Sequence, residues 1–570
     1  MQSTTTSASI SPSHEPQEQN SSGIDDTARG LRPGSPGLAD TIPGQRLAAQ
    51  EFWVEIPSPS AAPAAWCYSD QRVYSPGEVV HLHVSSNIST VRIRIYRDGL
   101  TQETYNIAED VAVSFQTIPD RAYEVGCSWP ISSSWTIPKD AKSGGYVVEV
   151  SDGSIATPRL LGHHFFIIRA DTHAPHTIAL VAATSTWTAY NDFGGANHYF
   201  GVNAGRPRPG RSPILSTLRP WARGQIWLPP GVPRIVNETR PTAPGPARYE
   251  FVESAYMNGY NKYYASAGWA TFERPFCVWA ERNGYDIDIL TQDELHENPA
   301  ALDSYKCVVF IGHDEYWSLK MRHTVDGYVE RGGNVARFAG NFMWQIRLEN
   351  NCQRQVAYKY DARETDPVAG TEQAATLTGT WEDPEIGYPG ACTFGVNALR
   401  GIYAGFGGMA RRAPRGFTLF RPGHWAFERT GLGYADMFGD EANIYGFEMD
   451  GLEYTFTAGL PEPTFEDGAP PGLEILAMGW ATLAESGRPE ESDSLMLGDA
   501  DARFRTSVLA PDISDKSVER HSRGSGMIVS FKRGAGEVFT AGTCEWVNGL
   551  RLGEYYTEAI TKNVLERFLR

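Results

Sequence analysis

The sequence contains few cysteines and no long apolar run. Its seven cysteines, at positions 67, 127, 277, 307, 352, 392 and 544 of 570, include no CxxC pair. An odd, widely spaced set of this kind indicates mostly reduced, intracellular thiols, with a disulfide between two of them left open. No segment approaches the roughly 18 apolar residues that a membrane span needs. We therefore expect neither a disulfide scaffold nor a membrane protein, and we predict a cytoplasmic location.

Positive charge is also in short supply. Fifty Lys and Arg residues oppose 68 Asp and Glu residues, for a formal net charge of −18. Such a balance repels phosphate backbones and anionic lipid surfaces, so we expect neither nucleic acid nor a membrane among the partners. The first residues, MQSTTTSASISPSHEPQEQN, lack the basic start and apolar core of a secretory signal, and none is expected.

The chain is long enough for more than one domain. Residues 1–48 are rich in Ser, Thr, Pro, Gln and Glu, which bury too little surface to offset chain entropy, so a disordered tail is predicted. Residues 49–172 contain short alternating segments such as VRIRIYRDG (91–99), separated by Gly, Pro and Asp turns. This pattern predicts a small, immunoglobulin-like β-sandwich domain.

The hydrophobic period changes in residues 173–570. HTIALVAATST (176–186) is a continuous apolar run, as expected of a strand that is buried on both faces. ERPFCVWAERNGYDIDILT and SLKMRHTVDGYVERGGNVARFAGN each have the pattern of a helix followed by a strand. This alternation predicts an α/β catalytic domain with a mostly parallel, doubly wound sheet, similar to that of glutamine amidotransferases. In such sheets, ligands bind beyond the carboxyl ends of the strands.

Polar and aromatic residues follow the predicted strand ends. The segments concerned are TWTAYNDFGG, HDEYWS and NFMWQ. Within the second of these, His313 and Glu315 alternate, so that an extended backbone would point both side chains to one side. A site is therefore predicted at this edge of the sheet. Separately, the sequence at the end of the chain predicts a hairpin followed by a last helix.

The usual catalytic motifs are missing. HENPA fails the HExxH zinc pattern at its second histidine, and no Walker loop, helix-opening GxGxxG or GxSxG is present. Where an amidotransferase-like sheet would carry a nucleophilic cysteine, the turn carries His313, Asp314 and Glu315. Zinc-protease, serine-hydrolase and thiol acyl-transfer chemistry are therefore disfavoured.

Tyrosines and a carboxylate remain as candidate ligands. Tyr190, Tyr199 and Glu315 would supply three hard oxygen donors, which suit a hard cation of high charge, and ferric iron fits better than zinc. Three protein ligands leave a coordination position open for water or a carbonyl oxygen. Spacing alone leaves open the alternative that each tyrosine is an ordinary packing residue.

Several short segments, in this order, carry a family resemblance: STWTAYNDFGG, GHDEYW, RGGNVARFAGNFMW, GFEMD and TKNVLERF. From about Tyr68 to the C-terminus, the chain resembles the large (β) subunit of the N,N-dimethylformamidase family of iron-dependent amidohydrolases. The resemblance implies one mononuclear Fe(III) held by two tyrosines and a glutamate. These ligands fall on Tyr190, Tyr199 and Glu315.

The resemblance also implies roles for residues around the metal. His313 would hold the carboxylate of Glu315, Asn341 would orient the substrate or its oxyanion, and Glu448 would act as general base. The expected reaction is hydrolysis of a small N-alkyl amide, similar to N,N-dimethylformamide, to a carboxylic acid and an amine. Phe193, Phe342 and Trp344 are candidates for an apolar wall facing the N-alkyl groups.

The chain departs from the family in its N-terminal part. The family's large subunit carries an inserted lectin-like domain there, whereas a single short β region takes its place here. A homo-oligomer is expected, and the family's separate small subunit is left open as a partner. A dialkyl amide larger than dimethylformamide or an aryl urea is also left open as substrate. The alternative function is a non-enzymatic binding module on a degenerate amidotransferase-like scaffold, and an iron oxygenase ranks last.

Overall fold

A computed structural model describes residues 55, 57–60, 62–153, 157–170, 178–201, 211–229, 232, 260–261, 263–402, 416–446, 448–482 and 499–570. The predicted disordered tail, residues 1–48, lies outside the described residues. The predicted boundary near residue 172 lies in another stretch that is not described. The division into domains at residues 49–172 and 173–570 therefore stays a prediction.

Two sheets pack around one core in the N-terminal part. The strands are β1 Ala65–Ser69, β2 Val73–Tyr74, β3 Val79–Ser86, β4 Thr90–Asp98, β5 Gln102–Ala112, β6 Ser133–Thr136, β7 Gly144–Ser151 and β8 Leu160–Ile168, with a short helix α1 Ala122–Val125. One sheet has the order β1-β3-β6, and the other has the order β2-β8-β7-β4-β5. Along β4, Val91, Ile93 and Ile95 face the shared core, as the alternating sequence predicts.

A nine-stranded sheet forms the centre of the rest of the described chain. Its strands are β9 Ile178–Ala182, β11 Ile287–Thr291, β12 Cys307–His313, β14 Asn334–Gly340, β18 Phe417–Leu419, β19 Met437–Phe438, β23 Glu474–Thr482, β24 Arg523–Arg533 and β25 Gly536–Ala541. The order is β11-β9-β12-β14-β25-β24-β23-β18-β19. The first five strands are parallel, and every pair from β25 to β19 is antiparallel.

Smaller sheets and helices cover this centre. The remaining strands are β10 Ile214–Ser216, β13 Tyr316–Ser318, β15 Trp344–Glu349, β16 Arg354–Val356, β17 Asn397–Ile402, β20 Met449–Gly451, β21 Tyr454–Thr457 and β22 Leu460–Pro463. The helices are α2 Thr184–Tyr190, α3 Glu273–Arg282, α4 Gln292–Glu297, α5 Leu319–Glu330, α6 Ala362–Thr365, α7 Ala391–Phe394, α8 Asp499–Leu509, α9 Asp515–His521, α10 Trp546–Leu552 and α11 Tyr555–Phe568. Short 3₁₀ turns occur at Lys359–Asp361, Ala374–Thr376 and Trp425–Phe427.

The predicted fold class, an α/β domain with a mostly parallel, doubly wound sheet, is wrong. The described residues are 34% strand and 21% helix, and several of the sheets are mixed or antiparallel. The predicted strand and helix alternation holds only for the strands β9, β11, β12 and β14 of the nine-stranded sheet. Beyond these strands, the predicted terminal hairpin is confirmed, and its second strand, β25, pairs in parallel with β14. The hairpin therefore attaches an antiparallel half to the sheet.

The structure of the described residues also bears on membrane-spanning helices and on disulfides. Among the helices that the structure describes, none combines the length and apolarity that a membrane crossing requires. All seven cysteines belong to the described chain, and none of them pairs in a disulfide.

Candidate active site and metal centre

Four parallel strands bring reactive side chains to one edge of the central sheet. β9 leads into α2, which ends at Tyr190, and β12 ends at His313. Asn341 follows β14, and Cys544 lies three residues beyond β25. The carboxyl ends of parallel strands meet at one edge, which is where ligands bind in such sheets. Tyr190 is the last residue of a helix, because α2 begins two residues after β9.

Three oxygen-bearing side chains meet at this edge. The hydroxyl of Tyr190 donates to Glu315 Oε2 at 3.0 Å, and the hydroxyl of Tyr199 lies 2.7 Å from each carboxylate oxygen of Glu315. The two hydroxyls are 3.1 Å apart. Tyr190 and Glu315 are buried, and Tyr199 is half-buried. Ligands of one metal ion with bonds of about 2.0 Å at right angles lie roughly 3 Å apart, so the spacing and hardness of these donors fit a hard cation.

The Glu315 carboxylate is held from several directions. Its backbone N–H donates to Thr186 Oγ1 at 3.0 Å, and the indole N–H of Trp344 donates to Oε1 at 2.7 Å. The backbone N–H of Trp344 also donates to the Glu315 carbonyl at 2.9 Å. The backbone of Glu315 is therefore fixed on both sides, and Trp344 holds one carboxylate oxygen in addition to the tyrosines.

Burial and a neighbouring charge favour the neutral form of both tyrosines. Burial, followed by the charge of Glu315, raises the pKa of both Tyr190 and Tyr199 well above the ordinary value. Burial also acts to raise the pKa of Glu315, but His313 and the charge of Lys359 outweigh it and lower that pKa below the ordinary value. A highly charged cation would favour the phenolates by direct attraction.

A histidine joins Glu315 to a second buried carboxylate. His313 Nε2 lies 2.8 Å from Glu448 Oε2 and 3.4 Å from Glu315 Oε2. We call His313, Glu315 and Glu448 the histidine cluster. The other ring nitrogen, Nδ1, lies 2.7 Å from the carbonyl oxygen of Ser266 and donates to it. His313 is thus closer to Glu448 than to Glu315, the partner expected for it.

Asn341 reaches the same ring from the next strand. Its Nδ2 lies 3.1 Å from His313 Nε2. Its backbone has a φ of 63°, in the left-handed region that asparagine tolerates better than most residues. This conformation turns the chain sharply after β14 and directs the amide towards the histidine cluster.

Two members of the histidine cluster, His313 and Glu448, bind their protons more tightly than usual. Burial acts to lower the pKa of His313, but the charges of Glu448 and Glu315 outweigh it and hold that pKa well above the ordinary value. Burial raises the pKa of Glu448, although His313 opposes the shift. A carboxylate with raised proton affinity is the type of group that suits a general base.

Asp314 and Asp450, on the opposite side of this segment, share the single positive charge of Arg337. Arg337 Nη1 lies 2.8 Å from Asp450 Oδ2, and its Nε lies 3.7 Å from Asp314 Oδ2. We call these three residues the arginine cluster. Asp314 also accepts from the indole of Trp317 at 2.8 Å, and Asp450 accepts from the backbone N–H of Phe342 at 3.1 Å. These contacts indicate a structural role.

The aromatic residues predicted to form an apolar wall separate in the structure. Phe193 packs against Trp129 in a cluster with N-terminal residues, with ring centroids 6.4 Å apart. Phe342 packs against Phe394 in the central core, with centroids 4.8 Å apart. Trp344 alone contacts the site, as a hydrogen-bond donor to Glu315.

Sequence reasoning missed two residues at this site. Lys359 is buried; its Nζ lies 3.3 Å from the ring centroid of Tyr199 and 2.7 Å from the hydroxyl of Tyr316. The segment VAYKYD contains no local signal of a buried lysine. Cys544 lies beside His313 and Glu448, and its position just after β25 is a signal that the strand-end rule could have used.

These features define a candidate metal-dependent enzyme. The family described as "N,N-dimethylformamidase beta subunit-like, C-terminal" matches residues 92–561, and the chain belongs to this family. Membership supports a dimethylformamidase-like amidohydrolase.

Other comparisons add little. No curated protein matches the chain. A solved chain described as "Structural basis of T cell specificity and activation by the bacterial superantigen toxic shock syndrome toxin-1" is 15% identical to it. The match covers 18% of this chain and 99% of that one, with a TM-score of 0.13. A similarity this low indicates neither a shared fold nor a shared function.

Proposed function

We propose that the chain hydrolyses the C–N bond of small N-alkylated amides, similar to N,N-dimethylformamide, to a carboxylic acid and an amine. In this proposal, Tyr190, Tyr199 and Glu315 hold one mononuclear Fe(III). The observation that carries it is the meeting of three oxygen donors within 3.1 Å of one another, in a chain of the dimethylformamidase family.

The residues around the donors divide the remaining work. When bound, iron supplies Lewis acidity towards the amide carbonyl, which contributes several kcal/mol in metal-dependent hydrolases. Glu448 removes a proton from the attacking water and passes it to the leaving nitrogen, as the new C–O bond forms and the C–N bond breaks. The raised pKa of Glu448 supports this role, because it strengthens the affinity of the base for that proton.

His313 and Asn341 act as orienting groups in this scheme. His313, between the two glutamates, keeps Glu448 directed at the water and Glu315 directed at the tyrosines. Asn341 donates its amide N–H to the substrate oxygen as negative charge develops there. This role of Asn341 is supported by the 3.1 Å separation between its Nδ2 and His313 Nε2, because the His313 ring lies between the two carboxylates.

The assembly belongs to the proposal as well. We expect a homo-oligomer, with the family's small subunit as a further candidate partner. The words "beta subunit-like" in the family's description support a multi-subunit enzyme. Light scattering on the purified chain, alone and co-expressed with a candidate small subunit, measures the stoichiometry.

Metal analysis joined to an amine-release screen tests the function. We expect about one iron per chain, a visible phenolate-to-iron absorption band, and amine release from N-alkyl formamides, acetamides or ureas. Tyr199→Phe should lose the band and most of the iron. The matched control is Tyr434→Phe, because Tyr434 is exposed and its hydroxyl only donates to the Gly459 carbonyl. A colourless, iron-free protein that iron does not activate would refute the proposal.

A further inference from the structure

Cys544 is a buried thiol that the proposed reaction does not use. It is 1% exposed, and its backbone N–H donates to the Glu448 carbonyl at 3.1 Å. The Cys544 sulfur, a histidine nitrogen of His313 and a carboxylate oxygen of Glu448 all lie within 4.8 Å of one another. The backbone bond keeps the cysteine and the glutamate side by side.

Two further contacts prepare these atoms for a ligand. Nδ1 of His313 donates to the Ser266 carbonyl, a bond that leaves Nε2 as the nitrogen on the side of Glu448. Glu448 Oε2 is buried and makes no geometrically ideal hydrogen bond among the described residues, although it lies 2.8 Å from Nε2. A buried carboxylate oxygen with free lone pairs therefore lies beside both the imidazole and the thiol.

This set differs chemically from the three oxygens of Tyr190, Tyr199 and Glu315. Nitrogen, oxygen and sulfur together favour zinc and other thiophilic divalent cations, whereas three oxygens favour a harder ion. Bonds of about 2.0–2.3 Å in a tetrahedral site put ligand atoms roughly 3.3–3.8 Å apart, so side-chain rotations of about 1 Å would bring these three into range.

We propose that His313, Glu448 and Cys544 form a second metal site, selective for Zn²⁺ and similar thiophilic divalent cations, and that its occupation inhibits the enzyme. Zinc at this site releases the thiol proton and engages the lone pairs of Glu448 and His313, so neither can serve the attacking water. The inhibition rests on the proposed function, whereas the binding does not.

Cobalt titration of the full chain, as purified with its own metal, tests the binding. Co²⁺ in a thiolate site gives a sulfur-to-cobalt charge-transfer band in the near ultraviolet. We expect that band in the wild type, its displacement by Zn²⁺, and its loss in Cys544→Ser and Cys544→Ala. Cys307→Ala is the matched control, because Cys307 is equally buried within β12 and should leave the band unchanged. A band absent from the wild type, or retained in both Cys544 variants, overturns the proposal.

Zinc inhibition of amine release tests the consequence. We expect the half-inhibitory zinc concentration to rise at least about tenfold in Cys544→Ala, with little change in Cys307→Ala. The visible phenolate-to-iron band should persist while activity is lost; bleaching of this band by zinc would mean simple displacement of iron and would overturn the second site. Should the chain lack iron and amidase activity, the proposed function fails, and the cobalt band still decides the binding.

Discussion

The arginine cluster and the histidine cluster lie on opposite sides of residues 313–315. They differ in the cationic group that contacts their buried carboxylates. In the arginine cluster, the permanently charged Arg337 contacts both Asp314 and Asp450. In the histidine cluster, the two carboxylates of Glu315 and Glu448 share one imidazole. Both clusters are buried, so exposure does not distinguish them.

The difference lies in the counter-charge. A guanidinium does not lose its proton in proteins, so the cation of the arginine cluster is fixed, although burial raises the pKa of Asp314 to about 6. An imidazole gains and loses a proton readily, and the histidine cluster also adjoins the hydroxyls of Tyr190 and Tyr199. The histidine cluster therefore has oxygen lone pairs that a proton or a metal ion can use. Alternation along residues 313–315 directs Asp314 to the arginine cluster and Glu315 to the histidine cluster.

Removing the cation of the arginine cluster should have the largest effect. Arg337→Met leaves Asp314 and Asp450 buried without a counter-charge, and such changes cost about 3–5 kcal/mol. Urea unfolding measures the loss. Arg331→Met is the control, because its ion pair with Asp303 is exposed and should contribute less than about 1 kcal/mol. Equal losses in the two variants would contradict the structural role of the arginine cluster.

A neutral substitution in the histidine cluster should affect turnover instead. Glu448→Gln removes the proposed base and should lower kcat/KM about 10²–10⁴-fold. Iron content and unfolding free energy should stay close to those of the wild type, because Glu448 is not one of the three oxygen donors. The exposed Glu441→Gln serves as control. If Glu448→Gln turned over every amide substrate normally, the assignment of the base would be wrong.

Another buried carboxyl, that of Glu273, forms no ion pair within the described part of the chain and extends the comparison to pH. Glu273 is 1% exposed and accepts from Ala183 N at 3.2 Å and Trp187 Nε1 at 3.1 Å. Burial raises its pKa from 4.5 to about 7. Between these values the folded state binds more protons than the unfolded state, so the stability from this group falls as pH rises, by about 3 kcal/mol across the window.

Glu273→Gln should remove that dependence. We expect the difference in unfolding free energy between variant and wild type to grow in the variant's favour from pH 5 to pH 8, as measured by urea unfolding at each pH. The difference between the two proteins isolates Glu273 from other titrating groups. Parallel stability curves for the two proteins would show that Glu273 keeps an ordinary pKa.

The smallest expected effect concerns the lysine beside the oxygen donors. The Lys359 ammonium lies over the ring of Tyr199, and contacts of this kind contribute about 0.5–2 kcal/mol. With iron bound, Lys359→Met should raise the energy of the phenolate electrons and shift the visible band to longer wavelength. Lys306→Met, whose Nζ contacts the carbonyl of Leu569, is the control. An unchanged band would mean that Lys359 only packs.

Local pattern was enough to predict much of this region. The strands β9, β11, β12 and β14, the terminal hairpin and the last helix follow from hydrophobic period and Gly-containing turns, which are properties of neighbouring residues. The strand-end rule brings Tyr190 and Glu315 to one edge, and alternation puts His313 beside Glu315. Residue type made Tyr199 a candidate donor, but the family resemblance was needed to predict it as a ligand and Glu448 as a base, because spacing alone identifies neither.

The sequence by itself determined the types of residue at the strand ends and the local direction of their side chains. Only the tertiary structure decided that β25 pairs with β14, about 200 residues earlier, which makes the sheet mixed and brings Cys544 to the histidine cluster. It also decided that Lys359 covers Tyr199 and that Arg337 compensates two aspartates. Pairing and counter-charge depend on which distant surfaces pack together, and no local period encodes that choice.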